Sequence, residues 1–285
     1  MNENYRLDGK ICMVTGATAG IGKVTAETLA RRGALVVVVG RNADKCEAVV
    51  AGIRESGGQA EAIVAELSSQ SQIRALAAAF QQRYQQLHIL VNNAGAFFMR
   101  RQFSEDGIEM TFALNHLSYF LLTNLLLDLL KASAPARVVN IASGAHRGNA
   151  LNFDRLKGER FYMGWVAYGR SKFANIMFTY ELARRLEGTG VTANALHPGL
   201  VNTRIGSQNN GILGKLFQPL VFSRGISPEE GAGTSIFLAT SPEVEGKTGQ
   251  YYYRGKAIVS DPKTHDLKAA ARLWQISAKM TGLSD

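Results

Sequence analysis

The chain is poor in cysteine: Cys12 and Cys46 are the two in 285 residues. Both lie near its start and supply neither a disulfide framework nor the spacing of a metal site, so no metal is expected and a reducing compartment is. A signal peptide is also missing, because Met1-Asn2-Glu3-Asn4-Tyr5 has no basic start and no apolar core. There is no long apolar run either. The longest, Leu117 to Leu130, contains Ser118, Thr123, Asn124 and Asp128 and reads as a buried helix, not a membrane span. Taken together, these absences predict a cytoplasmic protein. The net charge is +9, yet the basic residues are scattered, with no dense Lys/Arg stripe interleaved with aromatics. Nucleic acid is therefore not an expected partner, whereas an anionic cofactor would be served by a positive field. No repeat, low-complexity segment or linker divides the chain, so residues 1–285 are read as a single domain.

What the sequence does have is alternation of strand and helix. Ile11 to Thr15, Leu35 to Val39, Ala60 to Leu67, His88 to Val91, Arg137 to Ala142 and Val191 to Leu196 are short apolar runs that read as buried strands. Gln250 to Val259 holds a final one. Between them, Ile21 to Arg32, Asn42 to Glu55, Ser68 or Ser69 to about Gln86, Ser104 to Lys131, Trp165 to Leu186 and Pro228 to Ala239 read as helices. The tail from Thr264 to Met280 reads as an amphipathic helix. Continuous apolar strands alternating with helices predict an α/β fold with a doubly wound parallel sheet. Ligands bind such sheets at the carboxyl ends of the strands.

The unusual stretches fall at those ends. Gly16-Ala17-Thr18-Ala19-Gly20-Ile21-Gly22 lies between the first strand and the first helix. Glycines let a backbone approach a pyrophosphate closely, and the start of a helix offers unpaired N–H groups. Arg41 follows the second strand, after Gly40. An acid at that point would bond a ribose 2′-hydroxyl. Gly40 carries no side chain to repel a phosphate, and a guanidinium matches one, with Thr18 and Lys45 at hand, so NADP(H) is expected over NAD(H). Further along, Tyr168 and Lys172 are four apart on a helix and lie on one face. A nearby cation favours a phenolate, so the pair suits proton exchange with a substrate oxygen.

These motifs, together with Asn92-Asn93-Ala94-Gly95, Asn115, Ser143 and Pro198-Gly199 in that order, resemble the short-chain dehydrogenase/reductase family and its Rossmann fold. The resemblance covers roughly residues 7 to 260. Asn115-His116, Ser133 to Asn140, and Gly188 through Gly199 look like its retinol dehydrogenase branch. It implies that Tyr168 is the acid and base, that Lys172 lowers its pKa and holds the nicotinamide ribose, that Ser143 bonds the substrate oxygen, and that Asn115 holds a water in a proton relay. Around the cofactor it places Gly16, Thr18, Gly20, Ile21, Gly22, Arg41, Glu66, Leu67, Asn93, Ala94, Gly95, Tyr168, Lys172, Pro198, Gly199 and Thr203. Glu66 stands where the family has Asp.

The resemblance further implies a substrate lid over about residues 200–227. Its apolar stretch, Ile212 to Phe222, points to a small hydrophobic carbonyl or alcohol substrate, or otherwise to a partner or membrane surface. Phe153, Phe161, Tyr162, Met163 and Trp165 are expected either to line the substrate mouth or to pack on one another in a surface loop. The family often forms homo-oligomers through the helices carrying Asn115 and Tyr168, unless the C-terminal tail or the insertion before Tyr168 blocks them. The function expected is an NADP(H)-dependent carbonyl/alcohol oxidoreductase; the rival is a cofactor-binding regulator without turnover, which has no need of Ser143, Tyr168 and Lys172.

Overall fold

In the computed structural model, which describes residues 5–153, 162–201 and 225–284, the run Val36 to Val39 is 0% exposed. Its side chains divide strictly by parity. Val37 and Val39 join one core, Val36 and Val38 the other. Such burial on both faces is what a continuous apolar strand requires, and it needs helices on both sides of the sheet.

The sheet runs β3-β2-β1-β4-β5-β6-β7-β8. Its strands are β1 (Ile11–Thr15), β2 (Leu35–Gly40), β3 (Gln59–Val64), β4 (Ile89–Asn92), β5 (Ala136–Ile141), β6 (Val191–Leu196), β7 (Tyr251–Tyr253) and β8 (Lys256–Ile258). Strands β1 to β7 are parallel, and β8 is antiparallel to β7. Helices α1 (Gly20–Arg31), α2 (Ala43–Glu55) and α6 (Pro228–Thr240) bury one face, through Leu29, Ile53 and Leu238. Helices α3 (Gln70–Arg83), α4 (residues 110–132), α5 (Gly164–Arg185) and α7 (Leu267–Thr281) bury the other, through Phe80, Phe120, Phe178 and Trp274. Strand order reverses direction between β1 and β4, and the carboxyl ends around that point carry the motifs singled out above.

Four expectations need correction. β3 ends at Val64, three residues early, although Ala65 N–H still reaches Gly40 O at 2.9 Å. The segment 250–259 is a hairpin, not one strand, because Arg254 and Gly255 both take positive φ, 47° and 73°, as a tight two-residue turn requires. Helix α4 starts at Met110, not Ser104: Gly107 turns the chain at φ 70°, and the Glu109 carboxylate caps the new start by accepting from Thr111 N and Phe112 N. Nor is α4 uniform. Its segments are Met110–Phe112, a π-helical turn Ala113–Leu117, Ser118–Leu125 and Leu127–Ala132. The π turn places one extra residue in the helix at Asn115.

Four histidines, His88, His116, His146 and His197, are pushed below their ordinary value, burial being the first cause in each; His116 and His197 fall to about 4. The unfolded chain takes these protons near pH 6.5, and the folded one takes them lower, so the unfolded state binds more protons as pH falls. Stability should therefore be full above about pH 6.5 and decline steadily towards pH 4, His116 alone costing on the order of 3 kcal/mol. Denaturant midpoints between pH 7 and 4 check this, and a flat profile would contradict it.

Candidate active site

Thr15 closes β1 and gathers the neighbouring strand ends. Its hydroxyl donates to Val91 O (3.3 Å) and accepts from Asn93 N (2.9 Å) and Ala94 N (3.1 Å). Asn93 Nδ2 in turn donates to Thr15 O (2.8 Å) and Gly16 O (3.2 Å). Two glycines are dictated by this packing. A Cβ at Gly16, where φ is 64°, would lie 2.8 Å from Ala94 Cα, and one at Gly22 would lie 2.4 Å from both Asn93 Nδ2 and Gly16 O. Helix α1 then starts at Gly20, with Ala19 at its N-cap, no side-chain cap and no acid in its first turn. By contrast, α2, α3, α6 and α7 are capped by Asn42, Ser69, Ser227 and Asp266. The first N–H groups of α1 thus have no side-chain partner beside a glycine-lined turn, and the residues fit a dinucleotide's pyrophosphate.

Arg41 is exposed at the end of β2 and pairs with Glu66, Nη1 to Oε2 at 3.5 Å. The other Glu66 oxygen accepts from Ser68 N and Ser68 Oγ, both at 3.0 Å. Leu67 is buried in the core beneath α3, so its side chain packs the sheet. Gly40 proves to be more than a missing acid. A Cβ there would meet Thr18 Cγ2 at 2.6 Å and Cys46 Sγ at 2.9 Å, so a side chain at this position would force its neighbours to shift. Gly199 (φ 91°) follows Pro198 at the end of β6, and Val201 bridges Ile226, bringing together the two ends of the expected lid. Thr203, Phe161 and the lid residues 202–224 lie outside the described residues.

Ser143, Tyr168 and Lys172 meet at the end of β5. Ser143 caps the turn Gly144–His146 by accepting from Ala145 N (3.2 Å). Its hydroxyl faces the half-buried Tyr168 phenol and acts on it electrostatically. Lys172 is 2% exposed; its Nζ donates to Ile141 O (2.8 Å) and lies 5.9 Å from the Tyr168 ring centre. Burial pulls its pKa down to about 7. Burial likewise raises that of Tyr168, and Ser143 opposes the rise. The expected lowering by Lys172 is therefore corrected. A lysine that is itself stripped of water favours its neutral form, and Ser143 is the group that acts on the phenol.

Asn115 is 0% exposed in the π turn. Its side chain accepts from Ala96 N (2.8 Å) and donates to Ala96 O and Ser171 Oγ (both 3.0 Å). A Cβ at Gly95 would lie 3.2 Å from Asn115 Oδ1 and 3.4 Å from Lys172 Nζ, so Asn115 and Lys172 flank the same backbone point. The Asn115 side chain is thus spent on fixing the Gly95–Ala96 segment against α5.

The sequence reading passed over His146. It is 0% exposed; its Nε2 accepts from Asp261 N (3.0 Å), which leaves Nδ1–H to donate to Ser143 O (2.7 Å) and clamps the Ser143 turn. His197 stacks on Tyr253 with centres 4.1 Å apart, so it is a packing residue. Of the aromatics expected at the mouth, Tyr162 instead bonds Phe98 O (3.0 Å) and Glu109, while Phe153 packs beneath Arg272 of α7. Trp165, 59% exposed, does lie near Tyr168: Phe97 touches both rings, at 4.6 and 6.0 Å.

Residues 10–211 match the family model described as short chain dehydrogenase. The chain is 42% identical to retinol dehydrogenase 14 of Homo sapiens, a match that covers 97% of this chain and 88% of that protein. An uncharacterized protein from Mycobacterium paratuberculosis superposes with a TM-score of 0.80 at 30% identity, covering 98% of this chain and 96% of the other. A short chain dehydrogenase from Burkholderia cenocepacia in complex with NADP superposes with a TM-score of 0.69 at 28% identity, covering 86% and 96%.

Lys172 has a testable stability cost. The unfolded chain holds its proton up to about pH 10.5, and the folded one releases it near 7. Wild type should therefore lose stability as pH falls from 10.5 to 7 and no further from this group below 7. Relative to wild type, Lys172→Met should gain several degrees in melting temperature across that window and then level off. A difference that does not change with pH would show that the ammonium carries no burial penalty.

Proposed function

Because the chain belongs to the short-chain dehydrogenase family, on its retinol dehydrogenase-like branch, we propose that it interconverts an apolar carbonyl and its alcohol with NADP(H), Tyr168 serving as acid and base. The observation that carries this reading is the convergence of Tyr168, Ser143 and the buried Lys172 at the carboxyl end of β5, with Tyr168 and Lys172 one helical turn apart on α5. A bound NADP(H) supplies or accepts the hydride. In the reducing direction Tyr168 gives its proton to the carbonyl oxygen, and in the oxidising direction it takes the proton back. Ser143 donates to the same oxygen as charge gathers there. Lys172, near neutral pKa and beside Gly95, is suited to return the proton to the phenol and to bond the ribose hydroxyls. A regulator without turnover would have no use for a lysine held at this cost.

The preference for the phosphorylated cofactor rests on Arg41. It stands exposed at the end of β2, a side chain at position 40 would crowd Thr18 and Cys46, and Asp44 belongs to the first turn of α2. The apolar substrate is supported by Phe97 and Trp165 beside Tyr168, and by the human relative, whose named substrate, retinol, is itself an apolar alcohol.

Tyr168→Phe keeps the ring and removes the proton. Turnover with an apolar aldehyde and NADPH should fall by about a hundredfold or more, with NADPH affinity nearly unchanged. Near wild-type turnover in a steady-state assay at the nicotinamide absorbance would remove Tyr168 from the chemistry.

Arg41→Ala should weaken NADPH binding by about tenfold or more while leaving NADH binding within about twofold, since only the phosphate loses a charge-assisted partner. Titration of protein fluorescence gives both constants. An unchanged ratio would show that Arg41 does not hold the phosphate.

A further inference from the structure

Helix α7 packs beside α5 and α4 on one face of the sheet, and buried polar contacts connect it to the site. Ser277 of α7 and His116 of the π turn are both 0% exposed, with Ser277 Oγ 3.0 Å from His116 Nε2. His116 Nδ1 is 3.3 Å from Asn175 Oδ1, and Asn175 Nδ2 donates to Asn115 O at 2.9 Å. That last bond fixes the Asn175 amide, so its oxygen faces the histidine and must accept from Nδ1–H. His116 Nε2 is then the acceptor, and the Ser277 hydroxyl donates to it. From Asn115 the contacts continue to Ala96 and to Ser171 Oγ, which donates to Tyr168 O at 2.7 Å. Every donor and acceptor along this line has one assignment.

The far end is anchored too. Arg185 of α5 lies over the Trp274 ring at 4.2 Å, Gln70 Nε2 donates to Met280 O at 2.9 Å, and Arg74 donates to Thr281 O at 2.6 Å. Leu273 and Ala270 pack in one cluster with Phe112 before the π turn, Leu117 at its end and Phe173 of α5. The π turn needs such support, because its wider hydrogen-bonding ring is less favourable than the α-helical one on either side.

We propose that α7 is a working part of the catalytic apparatus, its Ser277 and His116 acting as positioning residues that hold the π turn, and with it Asn115, the Gly95–Ala96 segment and the backbone of Tyr168. The inference rests on the reading of Tyr168 as acid and base. Neither Ser277 nor His116 touches substrate or cofactor. Their effect is on the distance from Tyr168 and Lys172 to the backbone at Gly95, and so on turnover more than on substrate affinity.

The test is a double-mutant cycle with Ser277→Ala and His116→Gln in the full chain, with Gln275→Ala, on the exposed face of α7, as control. Ser277→Ala should lower kcat by about fivefold, the worth of one neutral hydrogen bond, with KM for an apolar aldehyde and the NADPH dissociation constant within about twofold. Because the contacts act in series, the double variant should be no slower than the slower single one, whereas independent losses would multiply. Hydrogen exchange at the Ala96 amide, measured without cofactor, should quicken in both single variants and not in the control. A kcat within twofold of wild type in Ser277→Ala, or unchanged Ala96 protection, overturns the inference, and if that variant does not fold the same decision passes to His116→Gln. Should Tyr168→Phe keep its turnover, the acid–base reading fails as well; an inactive Tyr168→Phe beside a wild-type-like Ser277→Ala sinks this inference alone.

Discussion

Lys172 carries an ammonium group into the interior and is met there by the Ile141 carbonyl at 2.8 Å. Removing a cation from water is costly, and a neutral oxygen repays only part of the cost. The rest of the fold has to hold the group where it is, with the end of β5 below it, the Tyr119 ring 5.5 Å away, Gly95 at its side and α5 along its stem. The strain shows as a pKa drawn to about 7. A lysine at that value can pass a proton at neutral pH, which an ordinary surface lysine does poorly. The destabilising placement and the useful chemistry are the same fact.

Around this lysine the labour is divided differently from what a tyrosine and lysine four apart suggest. The Tyr168 phenol is raised by burial and restrained by Ser143. Ser143 is itself held by His146, which joins the β5 end to Asp261 beyond β8. The two sides of the phenol are therefore governed by separate pieces of backbone, one reaching the closing hairpin and the other reaching α4.

Much of this was legible in the sequence, for physical reasons that differ by residue. Val36 to Val39 announced a two-faced strand because parity leaves no polar position. The glycine turn and Ser143 stood out because each follows an apolar run, and Tyr168 and Lys172 because they lie four apart on a helix. The π turn gave no such sign: one extra residue between Ala113 and Leu117 does not disturb the run of large apolar side chains around it. Gly40 read as permissive, because the crowding by Thr18 and Cys46 arises from a contact between separate elements. His146 was passed over since a lone histidine after a strand has no pattern, and its partners lie as far off as Asp261. The aromatics before Tyr168 could not be sorted by composition, as Tyr162 and Phe153 turn inward while Trp165 does not.

The space that a side chain at Gly22 would fill is held by the amide of Asn93, which follows the distant strand β4 and fixes the turn by bonding Thr15 O and Gly16 O. The phosphate cradle is consequently not a portable piece. Cut out with its own strand and helix, or grafted onto another protein, it would lose the contact that sets its shape. During folding, too, it must wait for a distant strand to dock, which is slow because a long stretch of chain has to be closed first. Affinity for a dinucleotide is thus a property the chain gains only once the centre of the sheet is assembled, and binding reports on completed folding rather than on any local segment.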